Sequence, residues 1–117
     1  PGIIPMKGAD LREIDFSKAN LGRSKSIRHN LNEIDLEGAE LEKSNLKNAD
    51  LEGANLREVD LEGSNLEKAN LSAADLRGAD LQDVDPKGTI LQGAYYNQST
   101  TFNPGFSPDI EGMVLKP

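Results

Sequence analysis

A five-residue unit repeats without a break from Asp50 to Leu81, as in Asp50-Leu51-Glu52-Gly53-Ala54 followed by Asn55-Leu56-Arg57-Glu58-Val59. Taking every fifth residue from Leu11 to Leu91 gives seventeen centres, of which fourteen are Leu and one is Phe16; Ser26 and Pro86 are the exceptions. Two residues before each centre the side chain is small or β-branched everywhere except at His29. One residue before it stands Asp or Asn, with Lys25, Glu40 and Ile90 as departures. The two following positions are mostly charged, polar or Gly.

A period of five fits neither ordinary element. On a helix at about 100° per residue, leucines five apart scatter around the whole cylinder and form no stripe. In one continuous strand, whose side chains alternate, an odd period sends successive leucines to opposite faces. Both difficulties disappear if each unit is a short extended segment followed by a turn. The chain then coils, with the centres and the small residues on its axis, and coils stacked about 4.8 Å apart satisfy one another's backbone groups. A narrow interior filled by one Leu per side leaves room for little more than a methyl beside it. Asp and Asn before the centre suit turns, because their side chains bond nearby backbone amides.

Units such as Ala49-Asp50-Leu51-Glu52-Gly53 and Ala69-Asn70-Leu71-Ser72-Ala73 resemble those of the pentapeptide-repeat proteins, and the resemblance covers residues 9 to 93. It implies an all-β solenoid: a right-handed quadrilateral β-helix with four units per coil, each unit one side of a square. Periodicity alone gives the coil and leaves its hand and section open. The predicted core is Leu11, Phe16, Leu21, Leu31, Leu36, Leu41, Leu46, Leu51, Leu56, Leu61, Leu66, Leu71, Leu76, Leu81 and Leu91. Residues 1–8 are expected to form an N-terminal cap, 9–93 about four coils, and 94–117 a C-terminal cap.

The ends and two irregular stretches carry further expectations. Ile4 and Met6 fall in register as an inward pair, so Pro1 to Met6 reads as a partial unit closing one end. Between Gly22 and His29 the pattern frays, and this segment reads either as a tolerated defect or as a small basic protrusion that contacts a partner. Pro86 has no N–H for pairing and Ile90 replaces Asp/Asn, which predicts that regular coiling ends near Leu91. Beyond it, Ser107-Pro108-Asp109 looks like a helix start, with Ile110, Met113 and Val114 at helical spacing, and predicts a short helical cap. Tyr95, Tyr96, Phe102 and Phe106 cluster there, as cap or as a dimer contact. The stretch Thr100 to Pro108 is similar to the endings of cyanobacterial family members.

The 117 residues make one domain. Net charge is -7 and the sequence pI about 4.6, which argues against direct nucleic-acid or anionic-membrane binding. No apolar run approaches a membrane span. Without Cys there is no thiol chemistry, and the lone His29 has no neighbouring ligand set, so neither metal nor cofactor is expected. No acid–base pair, phosphate-cradling glycine motif or nucleophile with a base is legible, and no enzymatic activity is expected. The cytoplasm is the first expectation for location, with the thylakoid lumen or periplasm as alternatives should Pro1 follow a removed leader. A monomer or weak dimer is expected.

With four units per coil, residues twenty apart stack, and the charges sort by side. One side gathers Lys25, Arg28, Lys47, Lys68 and Lys87 against Glu67 and Asp85. The next gathers Glu40, Glu42, Asp60, Glu62, Asp80 and Asp83 against Arg23 and Lys43. Two functions are compatible with this pattern. The first is a protein-interaction scaffold whose basic side steers an acidic protein partner, with Lys25, Arg28, Lys47, Lys68 and Lys87 as the candidate contacts. The second, implied by the resemblance, is nucleic-acid mimicry, since some family members bind DNA gyrase; a rod of four coils and a basic side count against it.

Overall fold

The structure is a computed structural model that describes residue 31, residues 33–109 and residues 111–117, together with the backbone of Ile3–Pro5 and Arg28–Asn30. The predicted core residues Leu11, Phe16 and Leu21, the candidate contact Lys25, the inward Met6 and the segment from Gly22 to Ile27 lie outside the described residues.

Each unit is a corner. The residue two before a centre donates its N–H to the preceding centre's carbonyl three residues back, as Ile34 does to Leu31 at 3.1 Å and Ala39 to Leu36 at 2.9 Å. A turn of type II closes with its third residue at positive φ. That position is filled in every unit from 33 to 93: by Gly38, Gly53, Gly63, Gly78, Gly88 and Gly93, and by Glu33, Lys43, Asn48, Glu58, Lys68, Ala73 and Asp83 at φ 55 to 62°. Asp or Asn before each centre braces the corner as the sequence predicts, its side chain accepting the N–H two residues on. Examples are Asp35 from Glu37 at 3.2 Å, Asn45 from Lys47 at 3.0 Å and Asn65 from Glu67 at 2.9 Å.

Corners stack by parallel pairing with a step of twenty: Asp35 with Asn55, Glu40 with Asp60, Asn45 with Asn65, Asp50 with Asn70, and onward. Four units therefore make one coil. Layers are tied by backbone bonds such as Leu36 N–H to Asn55 O and Asn55 N–H to Ile34 O, both 2.9 Å. The axis is filled as expected: every leucine centre from Leu31 to Leu91 is buried, with Ile34, Val59, Val84 and the alanines between them. Of the inward serines, Ser44 donates Oγ to Leu41 O at 2.7 Å, while buried Ser64 Oγ has no partner among the described residues.

The two ends depart from the sequence expectation in instructive ways. β1 (Ile3–Pro5) pairs parallel with β2 (Arg28–Asn30), Ile4 opposite His29, so the N-terminal segment does join the ladder. Its step is twenty-five residues, one unit more than in the coils above. At the other end, pairing does not stop near Leu91. Asn70 pairs with Ile90, Asp75 with Tyr95 and Asp80 with Thr101, the last with a step of twenty-one. Pro86 costs a donor locally, yet its carbonyl still closes the corner with Thr89 N–H at 2.9 Å, and the neighbouring sides carry the ladder onward.

The expected helical cap is corrected by the structure, because no helix occurs among the described tail residues. The chain turns here instead, with Pro108 O accepting from the N–H groups of Glu111 and Met113. β3 (Tyr95–Tyr96) then pairs with β4 (Val114–Leu115) as a further layer. Met113, not a helical stripe, supplies the inward side chain, with only 7% of its surface exposed, while Val114 and Leu115 point outward. Two layer-to-layer bonds at 2.8 Å, Val114 N–H to Ala94 O and Lys116 N–H to Tyr96 O, outweigh what one helical turn would satisfy.

Candidate interaction surface

Since centres and small residues are consumed by the axis, chemistry is confined to the three outward positions of each unit. The twenty-residue step stacks these into columns on flat walls. On one wall Asn45, Asn65 and Asp85 pair in succession, and this fixes the places of Lys47, Glu67 and Lys87 beside them. Lys47 Nζ lies 3.0 Å from Glu67 Oε1. Lys68, at a positive-φ corner, and Lys87 are exposed, and among the described residues neither forms an ion pair. The Glu67 carboxyl is held below its ordinary value, first by the Lys47 hydrogen bond and charge, then by the charges of Lys68 and Lys87. Three of the five predicted cations are thus within electrostatic reach of one carboxylate. Arg28 has its backbone in β2, and its side chain lies outside the described residues.

The adjoining wall stacks Glu40, Asp60 and Asp80 through successive pairings, with Glu62 and Asp83 exposed beside them. Among the described residues, buried Glu42 Oε1 has no hydrogen-bond partner. The wall carrying Leu36, Leu56 and Leu76 is closed on itself instead. Arg57 reaches Glu37 at 3.2 Å, and Arg77 reaches Asp75 at 2.7 Å while also donating to Pro117 O at 3.2 Å. Burial of Asp75 works to raise its pKa, but the Arg77 hydrogen bonds and charge outweigh it and leave the carboxyl lowered. Charges so engaged are satisfied within the molecule, whereas Lys68 and Lys87 are free to meet something else.

Sequence reasoning found the basic wall through its step of twenty, and it missed an apolar cavity near Pro86, for which the missing leucine was the available signal. Among the described residues no group of His, Asp and Glu side chains gathers to hold a metal, and no helix is long and apolar enough to cross a membrane.

Stacked square corners of five residues define the class of protein, a pentapeptide-repeat β-helix. The sequence matches the pentapeptide repeats family, in eight copies, over residues 30–57 and 54–93, and the chain belongs to that family. Solved structures of the family are similar to it. A pentapeptide repeat protein from Nostoc PCC 7120 is 34% identical over 90% of this chain and 86% of its own, with a TM-score of 0.46. A pentapeptide repeat protein of the Arabidopsis thaliana thylakoid lumen is 29% identical over 92% of this chain and 62% of its own, at 0.60. HetL, from Nostoc sp. strain PCC 7120 and involved in heterocyst differentiation regulation, is 28% identical over 93% of this chain and 46% of its own, at 0.65. The family fold is a right-handed β-helix, and its similar members include cyanobacterial proteins. No curated protein sequence shows significant similarity to the chain.

Proposed function

We propose that this protein is a non-enzymatic interaction scaffold that presents its basic wall to an acidic protein partner. In this reading residues 9–93 are the rigid rod, residues 1–8 and 94–117 close its ends, and Lys25, Arg28, Lys47, Lys68 and Lys87 make the contact. One observation carries it: Lys68 and Lys87 stand exposed and, among the described residues, without ion pairs beside the Lys47–Glu67 pair, on a wall whose backbone is tied layer to layer. A rigid array of cations steers an acidic surface into one orientation and weakens as salt rises, with a screening length of about 8 Å at physiological ionic strength.

The test is affinity capture from native extract, with the parent and the Lys47→Gln/Lys68→Gln/Lys87→Gln variant as baits at low and physiological salt. The variant should keep its stability within about 1 kcal/mol, as surface changes do, and lose the partner that the parent holds. Equal retention by the two baits would move the contact to the acidic wall or to the Gly22 to His29 segment. Inhibition of DNA gyrase supercoiling by the added protein would instead favour mimicry of nucleic acid.

A further inference from the structure

Pro86 occupies a centre where the units stacked below it place Leu46 and Leu66 on the axis. Its ring is tied back to its own nitrogen and extends less far than a leucine side chain, so this column is one aliphatic group short. The following layer does not fill the gap. A cavity of about 280 Å³ lies there, lined by Leu66, Leu71, Val84 and Pro86 of the coil and by Phe102 and Phe106 of the tail. It communicates with solvent: Leu81 and Leu91, which also line it, are 7% and 6% exposed, whereas the leucines from Leu31 to Leu76 are at most 1% exposed.

The lining fixes what can bind. No charged side chain contributes to it. Its two polar side chains are already committed to the wall. Thr89 Oγ1 donates to Leu66 O at 2.7 Å, and Asn103 donates from Nδ2 to Val84 O at 2.9 Å while its Oδ1 accepts from Asp83 N–H at 2.6 Å. Neither polar side chain of the lining is left without a partner, so the surface offered to a ligand is mainly apolar. The aromatic side is held in place: the Phe102 and Phe106 rings stack at 4.7 Å and 20°, and Tyr96 meets Phe102 edge-on at 6.1 Å and 70°. The Asn103 bonds fasten the segment between the two phenylalanines to the coil beneath.

We propose that this cavity is a binding site for a neutral, apolar aromatic ligand about two fused rings in size. An apolar cavity of about 150 Å³ lined by Leu, Ile and Phe takes up benzene, so nearly twice that volume accommodates a second ring. A preformed aromatic wall adds offset-stacked or edge-on contacts with a ligand ring. A carboxylate or ammonium carried into the cavity meets no charged side chain in the lining to pair it, which sets the selectivity.

The test uses the full chain and naphthalene as probe, with 2-naphthoate as its charged counterpart, read by methyl NMR shifts of Val84 and Leu91 and by the thermal midpoint. Naphthalene should shift both methyl groups saturably and raise the midpoint, and 2-naphthoate should bind at least about tenfold more weakly. Pro86→Leu, which returns the missing side chain, should weaken naphthalene at least about tenfold without lowering the midpoint. Val84→Phe fills the same space from the coil side and serves if Pro86→Leu does not fold. Methyl groups unmoved by naphthalene, naphthoate bound as tightly, or naphthalene bound undiminished by the folded filled variants would each overturn the proposal.

Discussion

Asn55 donates from Nδ2 to Asp35 Oδ1 at 3.0 Å, so two side chains twenty residues apart share a hydrogen bond on the outside of adjacent coils. The same amide also braces its own corner, its Oδ1 accepting from Arg57 N–H at 3.2 Å. Asn at this position supplies both the donor and the acceptor, whereas the carboxylate of Asp would supply acceptors only. Asn55→Ala removes the interlayer bond and the corner bond together, and chemical denaturation should show a loss of about 1 to 2 kcal/mol. An unchanged midpoint would show that the backbone ladder alone sets the layers.

Corner geometry gives an opposite pair of expectations. Ala73 holds φ 58°, a conformation that costs an L-residue about 1 kcal/mol or more and costs Gly nothing. Ala73→Gly should therefore stabilise the protein by about 0.5 to 1 kcal/mol, after the larger entropy of the unfolded Gly chain is set against it. Gly78→Ala should do the reverse, because at φ +73° its new Cβ would meet Glu58 Cγ at 3.1 Å. Thermal melting of both variants checks the sign.

Acid should loosen the wall that carries Asp75. Burial works to raise the pKa of its carboxyl, and the Arg77 bonds and charge more than reverse this, so the folded value lies below the ordinary 3.8. A depressed carboxyl contributes stability that is fully present above the unfolded value and is lost as pH falls through the folded one. Denaturation midpoints measured from about pH 5 to about pH 2 should fall less steeply for Asp75→Asn than for the parent. Parallel profiles would show that the Arg77 pair does not couple to folding.

What was legible in the sequence follows from what the repeat constrains. Leu36, Leu56 and Leu76 announce themselves, because an axis with one place per side accepts nothing much larger beside them. The wall of Lys47, Lys68 and Lys87 follows from a step of twenty. The tail departs from its expectation for a physical reason: Ser107-Pro108-Asp109 reads as a helix start and Ile110, Met113 and Val114 have helical spacing, yet the open end of a β-helix offers unpaired backbone groups that a strand satisfies and a helix cannot. The step of twenty-one from Asp80 to Thr101 hides that last layer from any strict count of fives. Between Ile4 and His29 the step of twenty-five has the opposite effect, since a whole added unit leaves the register of fives unchanged.

The arrangement of the basic wall can be tested without knowing any partner, through the titration of Glu67. Its carboxyl lies between Lys47 and Lys87, each twenty residues away in sequence and in opposite directions, and its pKa is lowered from 4.5 first by the Lys47 hydrogen bond and then by charge. Carboxyl NMR titration should find the Glu67 pKa below 4.5 in the parent, raised in Lys47→Gln, and raised by less in Lys87→Gln, where only a more distant charge is removed. A Glu67 pKa that neither substitution moves would contradict the twenty-residue stacking on which the wall depends.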